Sequence, residues 1–275
     1  MVDEQRQAWL APQRAILVVN QDSGQSKANK VVALTGAGGF LVSQLCEGLA
    51  ARGCKVALLD QNIETAERVA DSIRRQSGEA VAIQVDVCFK SNYEKALETI
   101  LKKWGRLDGA VFGAGFNAPT PFLKITVEEW NKIMEVQLTG TMLGCQVFGE
   151  QMLKQGKGSI VTISSASSGP PLSKAFAYSV AKAGVKNLTQ NLAREWGAKG
   201  VRVNALRPGF FPTEWSKTNF ITPAREQAIF GHTPMARYGK PEELVGAVAW
   251  LLSDEASFVT GAEIAVDGGF TAMTI

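Results

Sequence analysis

GSIVTISSASSGPPLSKAFAYSVAKAGVKN, residues 158–187, decides the fold. It begins as a short apolar run that ends in serines, and it continues as a run with helical spacing that carries Tyr178 and Lys182. Residues four apart on a helix share a face, so this phenol and this ammonium can point into one site. A free phenol ionises near pH 10, too high for proton exchange at neutrality. An ammonium at roughly 4 Å contributes about 4 kcal/mol at an effective dielectric of about 20, and about 1.4 kcal/mol moves a pKa by one unit. Lys182 is therefore expected to bring Tyr178 toward neutrality as a proton donor or acceptor. Ser165 lies 13 residues before the tyrosine, enough chain to leave a strand end and return as a helix. Its hydroxyl is placed to hold the oxygen that Tyr178 protonates.

Outward from this stretch the chain alternates short apolar runs with amphipathic ones. Strands are expected at 31–35, 55–60, 80–86, 107–113, 159–164, 201–206 and 262–267. Helices are expected between them: to about 52, over 63–76 and 92–103, from Thr126 to about Leu153, from the Tyr178 region to about Lys199, and over 241–253. Short, almost wholly apolar strands separated by helices indicate a parallel sheet buried on both faces, doubly wound and seven-stranded. Ser91 with Glu94 and Thr126 with Glu129 read as capping boxes at helix starts. No linker or repeat interrupts the pattern, so residues 29–275 form one α/β domain. Residues 1–28 are an extension, polar except for Trp9, Leu10 and the run 15–19.

A length of 275 residues suits one large domain with a substantial core. The net charge of +3 comes from dispersed lysines and arginines, which excludes the clustered basic face of a nucleic-acid binder. His232 is the only histidine, and Cys46, Cys54, Cys88 and Cys145 have no metal-type spacing. A Ser-His-Asp hydrolase or a zinc site is hard to build from that set. The absence of an apolar run near 18 residues and of a basic amino end, with Asp3 and Glu4 there instead, points to a soluble cytoplasmic protein with reduced cysteines.

The first strand runs into GAGGFL, residues 36–41, and then a helix. Glycines there admit a pyrophosphate to the backbone, and a helix amino end attracts it. Asp60 ends the second strand 24 residues past Gly36, close to the roughly 20 expected of an acid that binds a ribose. A carboxylate there accepts from both ribose hydroxyls and repels a 2′-phosphate, which favours NAD over NADP.

The serine pair at a strand end, the Tyr178–Lys182 spacing and the glycine-rich turn together resemble the short-chain dehydrogenase/reductase family over roughly residues 29–270. The resemblance implies a Rossmann-type fold, with Ser165, Tyr178 and Lys182 as catalytic triad. Gln137, in MEVQLTG (134–140), stands where the family has an asparagine that supports a proton-relay water. It implies cofactor contacts at Gly36, Gly38, Gly39, Phe40 and Leu41, at Asp60 and Gln61, at Asp86 and Val87, and at Gly113, Ala114 and Gly115. Tyr178 and Lys182 join them, as do Pro208, Gly209, Phe210 and Thr213 of RPGFFPT (207–213), which would hold the nicotinamide carboxamide. The sequence departs from the family at Phe40 and Val42, where TGxxxGxG has glycines, and at Phe112 and Gly113, where NNAG has asparagines.

The resemblance also places a substrate lid at about 214–240, with Trp215, Phe220 and Phe230 packing it and Asn117, Arg207, Lys217 and His232 as polar contacts. It further implies a homotetramer built on the helices near 127–153 and 178–198 and on the carboxyl-terminal strand. The strings 148–165, 209–214, 232–247 and 254–270 resemble the branch that includes D-mannonate oxidoreductase and, more loosely, gluconate dehydrogenases. An NAD-dependent oxidoreductase of a sugar acid or polyol is thus the leading expectation. A reductase of acyl or other ketones, and a dinucleotide binder without turnover, remain open at this stage.

Overall fold

The computed structural model describes residues 29–173, 175–213, 217 and 221–273. The expectations for the extension 1–28, and for Trp215 and Phe220 in the lid, lie outside these residues.

Seven parallel strands form the sheet in the order β3-β2-β1-β4-β5-β6-β7. They are β1 Val31–Thr35, β2 Lys55–Asp60, β3 Ala80–Gln84, β4 Gly109–Phe112, β5 Gly158–Ile163, β6 Val201–Pro208 and β7 Glu263–Val266. The order reverses between β1 and β4, where Val32 pairs with both Val56 and Gly109. Such a switch point opens a crevice at the strand carboxyl ends. Eight α-helices connect the strands among the described residues: α1 Phe40–Ala50, α2 Ile63–Arg75, α3 Lys90–Trp104, α4 Val127–Met134, α5 Gly140–Gln155, α6 Phe176–Trp196, α7 Pro223–Gly231 and α8 Val245–Leu252.

Successive strand residues face opposite sides, and each side has its own core. Val32, Leu34, Val56 and Leu58 pack with Leu45 and Leu49 of α1, Ile73 of α2 and Val248 of α8. Val31, Ala33, Ala57 and Leu59 pack on the other face with Ile100 of α3, Phe148 of α5 and Trp196 of α6. Each such leucine, isoleucine or phenylalanine contributes about 1.5–3 kcal/mol by leaving water. No helix among the described residues is long and apolar enough to cross a membrane.

Two local expectations meet different outcomes. Thr126 caps α4, its side chain accepting from the Glu129 N–H. Ser91 caps nothing: α3 already starts at Lys90, after Phe89, and the nearby Asn92 Oδ1 accepts instead from the Asp86 N–H at 3.1 Å. The helix expected to run unbroken from Thr126 to Leu153 is interrupted by a π-helical turn, Glu135–Thr139, between α4 and α5. Gln137 sits in that turn.

Candidate active site

The β1–α1 turn forms one wall of a groove of about 440 Å³ along the switch point. Gly36 adopts φ +73°, and a β-carbon on it would stand 2.9 Å from the Ala114 Cα, so neither the backbone angle nor the space admits a side chain. Gly39 caps α1 without a side-chain bond, and the first intrahelical bond is Ser43 N–H to the Gly39 carbonyl. The amides of Phe40 and Leu41, both lining the groove, thus end a helix dipole on open space. That is the donor set an anionic pyrophosphate requires.

Asp60 also lines the groove, its Oδ2 accepting from the Gly38 N–H and its Oδ1 from the Asn62 N–H, both at 2.9 Å. Gln61, Asp86, Val87, Gly113, Ala114, Gly115 and Thr213 also line it, with Lys132 and Phe211 among the others. Gly38 lies behind it, against Thr65 of α2.

The two departures from the glycine and asparagine patterns answer one another. A β-carbon on Gly113 would stand 2.6 Å from Val42 Cγ2, so the valine occupies the room that a side chain at 113 needs. The strand tie that asparagines would supply is made by Thr35, whose Oγ1 accepts from the Gly113 and Ala114 N–H groups at 3.1 and 3.3 Å. Phe112 is instead a core residue, stacked 6.1 Å from Phe148 and edge-on to Tyr93.

A second cavity, of about 790 Å³, adjoins the groove and is lined by Ser165, Tyr178, Lys182 and Gln137 together. Ser165 Oγ accepts from the Ser167 N–H and hydroxyl at 3.2 and 3.1 Å, which fixes its position at the end of β5. Lys182 is buried, and its Nζ donates to the Ile163 carbonyl at 2.8 Å while lying 5.6 Å from the Tyr178 ring centre. Burial holds the Lys182 ammonium down to about 8. Burial also raises the Tyr178 phenol above its ordinary value, opposed by the bond with Ser165. This corrects the expected electrostatics: the ammonium is engaged by a carbonyl, the phenol stands above its ordinary value and not below it, and the group that opposes the rise is the serine.

The π turn places Gln137 with 1 % exposure, its Nε2 donating to the Phe116 carbonyl at 2.6 Å. Its Oε1 is buried without a partner, 2.7 Å from where a β-carbon on Gly115 would be. An orphaned acceptor beside the serine, tyrosine and lysine is a place for a donor supplied by a ligand or a water. Residues 209 and 210 line the same cavity, whereas Pro208 is buried in β6, paired with Val266.

Known proteins place this geometry. A family model described as enoyl-(acyl carrier protein) reductase matches residues 42–271. An uncharacterized oxidoreductase, UxuB, of Bacillus subtilis is 36% identical over 90% of this chain and 97% of its own. The chain belongs to the short-chain dehydrogenase/reductase family. Among solved members, a candidate D-mannonate oxidoreductase from Haemophilus influenza with bound NAD is 34% identical, at a TM-score of 0.84 over 90% of this chain and 96% of that one. A gluconate 5-dehydrogenase from Burkholderia cenocepacia, in complex with NADP and tartrate, is 28% identical at a TM-score of 0.86, over 90% and 97%.

As a short-chain dehydrogenase/reductase the chain is an oxidoreductase of a family that binds a nicotinamide dinucleotide, and the amide-rich groove fits that group. The expected polar contacts are only partly where the lid resemblance put them. Asn117 lines the cavity. Arg207 does not; it is held by Glu263 Oε2 at 3.0 Å and Thr271 Oγ1 at 2.9 Å. His232 is exposed against Phe270, Lys217 lies 5.9 Å from the Tyr238 ring centre, and Phe230 packs edge-on to Tyr238. Besides Lys182, the basic side chain that lines the cavity is Arg225 of α7, which the sequence reading overlooked.

It overlooked Glu263 as well. Oε1 of this residue accepts from Ser164 and Ser168, which flank Ser165, at 2.8 and 2.9 Å. Its Oε2 pairs with Lys186 at 3.1 Å and Arg207 at 3.0 Å. Burial pushes this carboxyl up, but the serine and lysine bonds and the Arg207 charge outweigh it and hold it below the usual range. One carboxylate on β7 thereby ties the catalytic loop to α6 and β6. The available signal was a lone acid opening a strand otherwise apolar.

Proposed function

We propose that this short-chain dehydrogenase/reductase uses NAD(H) to interconvert a ketone and a secondary alcohol, with a sugar acid or related polyol as its substrate. The observation that carries the reading is the shared cavity of Ser165, Tyr178, Lys182 and Gln137, opening beside the amide-rich groove. A bound nicotinamide supplies or accepts the hydride. Ser165 holds the substrate oxygen, and the Tyr178 hydroxyl gives or takes the proton at that oxygen. Lys182 keeps a positive charge beside the phenol ring and faces the ribose. Gln137 Oε1 accepts from the water that passes the proton outward. Phe210 and Thr213 hold the carboxamide end.

Preference for NAD rests on Asp60, whose carboxylate occupies the ribose end of the groove and is fixed by two amides. The basic residue lining that groove is Lys132, already paired with Glu135 at 3.0 Å. The NAD-bound relative supports this reading, and the sugar-acid names of both solved relatives support the substrate class. The test is a panel of D-mannonate, D-gluconate, mannitol, cyclopentanol and a 3-oxoacyl thioester, followed by NADH absorbance with either dinucleotide. A sugar acid should give the highest kcat/KM, and NAD should exceed NADP at least about tenfold, the worth of roughly 1.4 kcal/mol of charge repulsion. Fastest turnover of the thioester with NADPH would overturn the reading.

A homotetramer is part of the proposal. Phe122 and Phe176 meet at 5.2 Å on the outer surface near α4 and α6, with Leu123, Val127 and Val180 exposed close by in the chain. Such side chains favour burial against another copy. Sedimentation at the 29.5 kDa of a single chain would exclude it.

A further inference from the structure

We propose that Arg225 selects an acid over its neutral counterpart: its guanidinium, steadied by Ser173, binds a carboxylate of the substrate inside the catalytic cavity. This rests on the reading of that cavity as a dehydrogenase site. Two charged side chains line it among the described residues, Lys182 and Arg225, and no aspartate or glutamate does. The Lys182 ammonium is committed to the Ile163 carbonyl. Arg225 is committed only in part, its Nη1 donating to Ser173 Oγ at 2.9 Å, which leaves most of a guanidinium's five N–H donors.

The contrast with its neighbours in the chain is sharp. Arg207 is paired with Glu263 and Arg237 with Glu243, whereas no carboxylate among the described residues lies within ion-pair distance of Arg225. A half-buried cation without a counter-ion, in a cavity without acids, is built to receive one.

Its position is also fixed. Thr222 caps α7 by accepting from the Arg225 N–H at 3.2 Å, Pro223 starts the helix, and Ile229 is buried beneath it. Ser173 belongs to the loop between β5 and α6, so the Arg225–Ser173 bond joins the lid helix to the segment carrying Ser165. The fork therefore sits across the same cavity as the reacting hydroxyl, with Asn117 and Ser167 available to further hydroxyls. The ligand this fits is a chain of secondary alcohols ending in a carboxylate.

The experiment compares acid and neutral substrates that differ only at the terminal carbon, D-mannonate with D-mannitol and D-gluconate with D-glucitol, for the wild type, R225M and R225K. The ratio of kcat/KM for acid over polyol should fall roughly 10–100-fold in R225M, the worth of one hydrogen-bonded charge, and chiefly through KM. R225K, a point charge without the planar fork, should fall between. Calorimetric titration of D-gluconate into the wild-type NADH complex should show the same loss on substitution. Should R225M not fold, R225K and R225Q carry the comparison. An unchanged ratio, or a wild type that binds gluconate no better than glucitol, would overturn the proposal. Gluconate binding that depends on Arg225 in a protein that oxidises nothing would leave it standing and remove the dehydrogenase reading instead. Turnover confined to neutral polyols would do the reverse.

Discussion

Turnover by Tyr178→Phe falls about 10²–10⁴-fold, the usual contribution of a positioned proton donor, while the affinity for NADH stays within about threefold. The substitution removes one oxygen and keeps the ring that lies 5.6 Å from the Lys182 ammonium. Its hydroxyl bonds Ser165, so the change is confined to the place where substrate oxygen and proton donor meet. Because burial raises this phenol, the neutral O–H form prevails at pH 7, ready to donate in the reducing direction. The oxidising direction needs the phenolate and should accelerate as pH rises. Steady-state assays in both directions, with fluorescence titration of NADH, check this. Turnover within threefold of the wild type would take the proton-transfer role away from Tyr178.

The second large effect concerns stability as well as rate. Lys182→Met should lose turnover at least about 10²-fold, since the charge beside the phenol is gone. It should also change how stability depends on pH. Lys182 in the folded chain titrates at about 8, against 10.5 for an ordinary lysine. Between those values the unfolded chain binds the proton that the folded chain has released, so wild-type stability rises with pH there, by about 1.4 kcal/mol per unit. Below pH 8 the full cost of burying the ammonium is present. The methionine variant lacks this group. The wild type should therefore gain roughly 2–3 kcal/mol on the variant between pH 8 and pH 10. The Ile163 carbonyl left without its donor costs the variant a fixed amount at every pH, so it shifts the comparison without altering its slope. Urea unfolding of both proteins at several pH values reads the difference directly, and parallel stability curves would refute the assignment.

Strand and helix order was legible because the five inner and near-inner strands, β1, β2, β4, β5 and β6, are buried along nearly their whole length, while the edge strands β3 and β7 keep an apolar spelling though only half-buried, and most helices show one apolar side. Thr126 announced its helix by a local bond to Glu129. The groove was legible for the same reason: glycines 36 and 39, Asp60 and residues 113–115 stand at fixed distances from strand ends, and the crevice follows from topology. What escaped was set by partners far away in the chain. Arg207 looked available until Glu263, 56 residues on, was found holding it, and Arg225 gave no sign of facing Ser173, 52 residues earlier. Ser91 and Glu94 had the spelling of a cap, but the cap position falls at Phe89, two residues earlier. The π turn leaves no mark in composition, since EVQLT reads as ordinary helix.

That turn sets a rule about length. An α-helix advances about 100° per residue, and a π turn takes in one residue more than an α turn would. Upstream of it Ile133 answers to Ala177 and Ala181; downstream Phe148 and Met152 answer to the sheet. A descendant that lost a single codon here would regain a continuous helix and could satisfy only one of those two phases. Either the glutamine amide would swing out of the cavity or the aromatic seam beneath β4 would come apart. Five letters in this segment can be respelled more safely than they can become four.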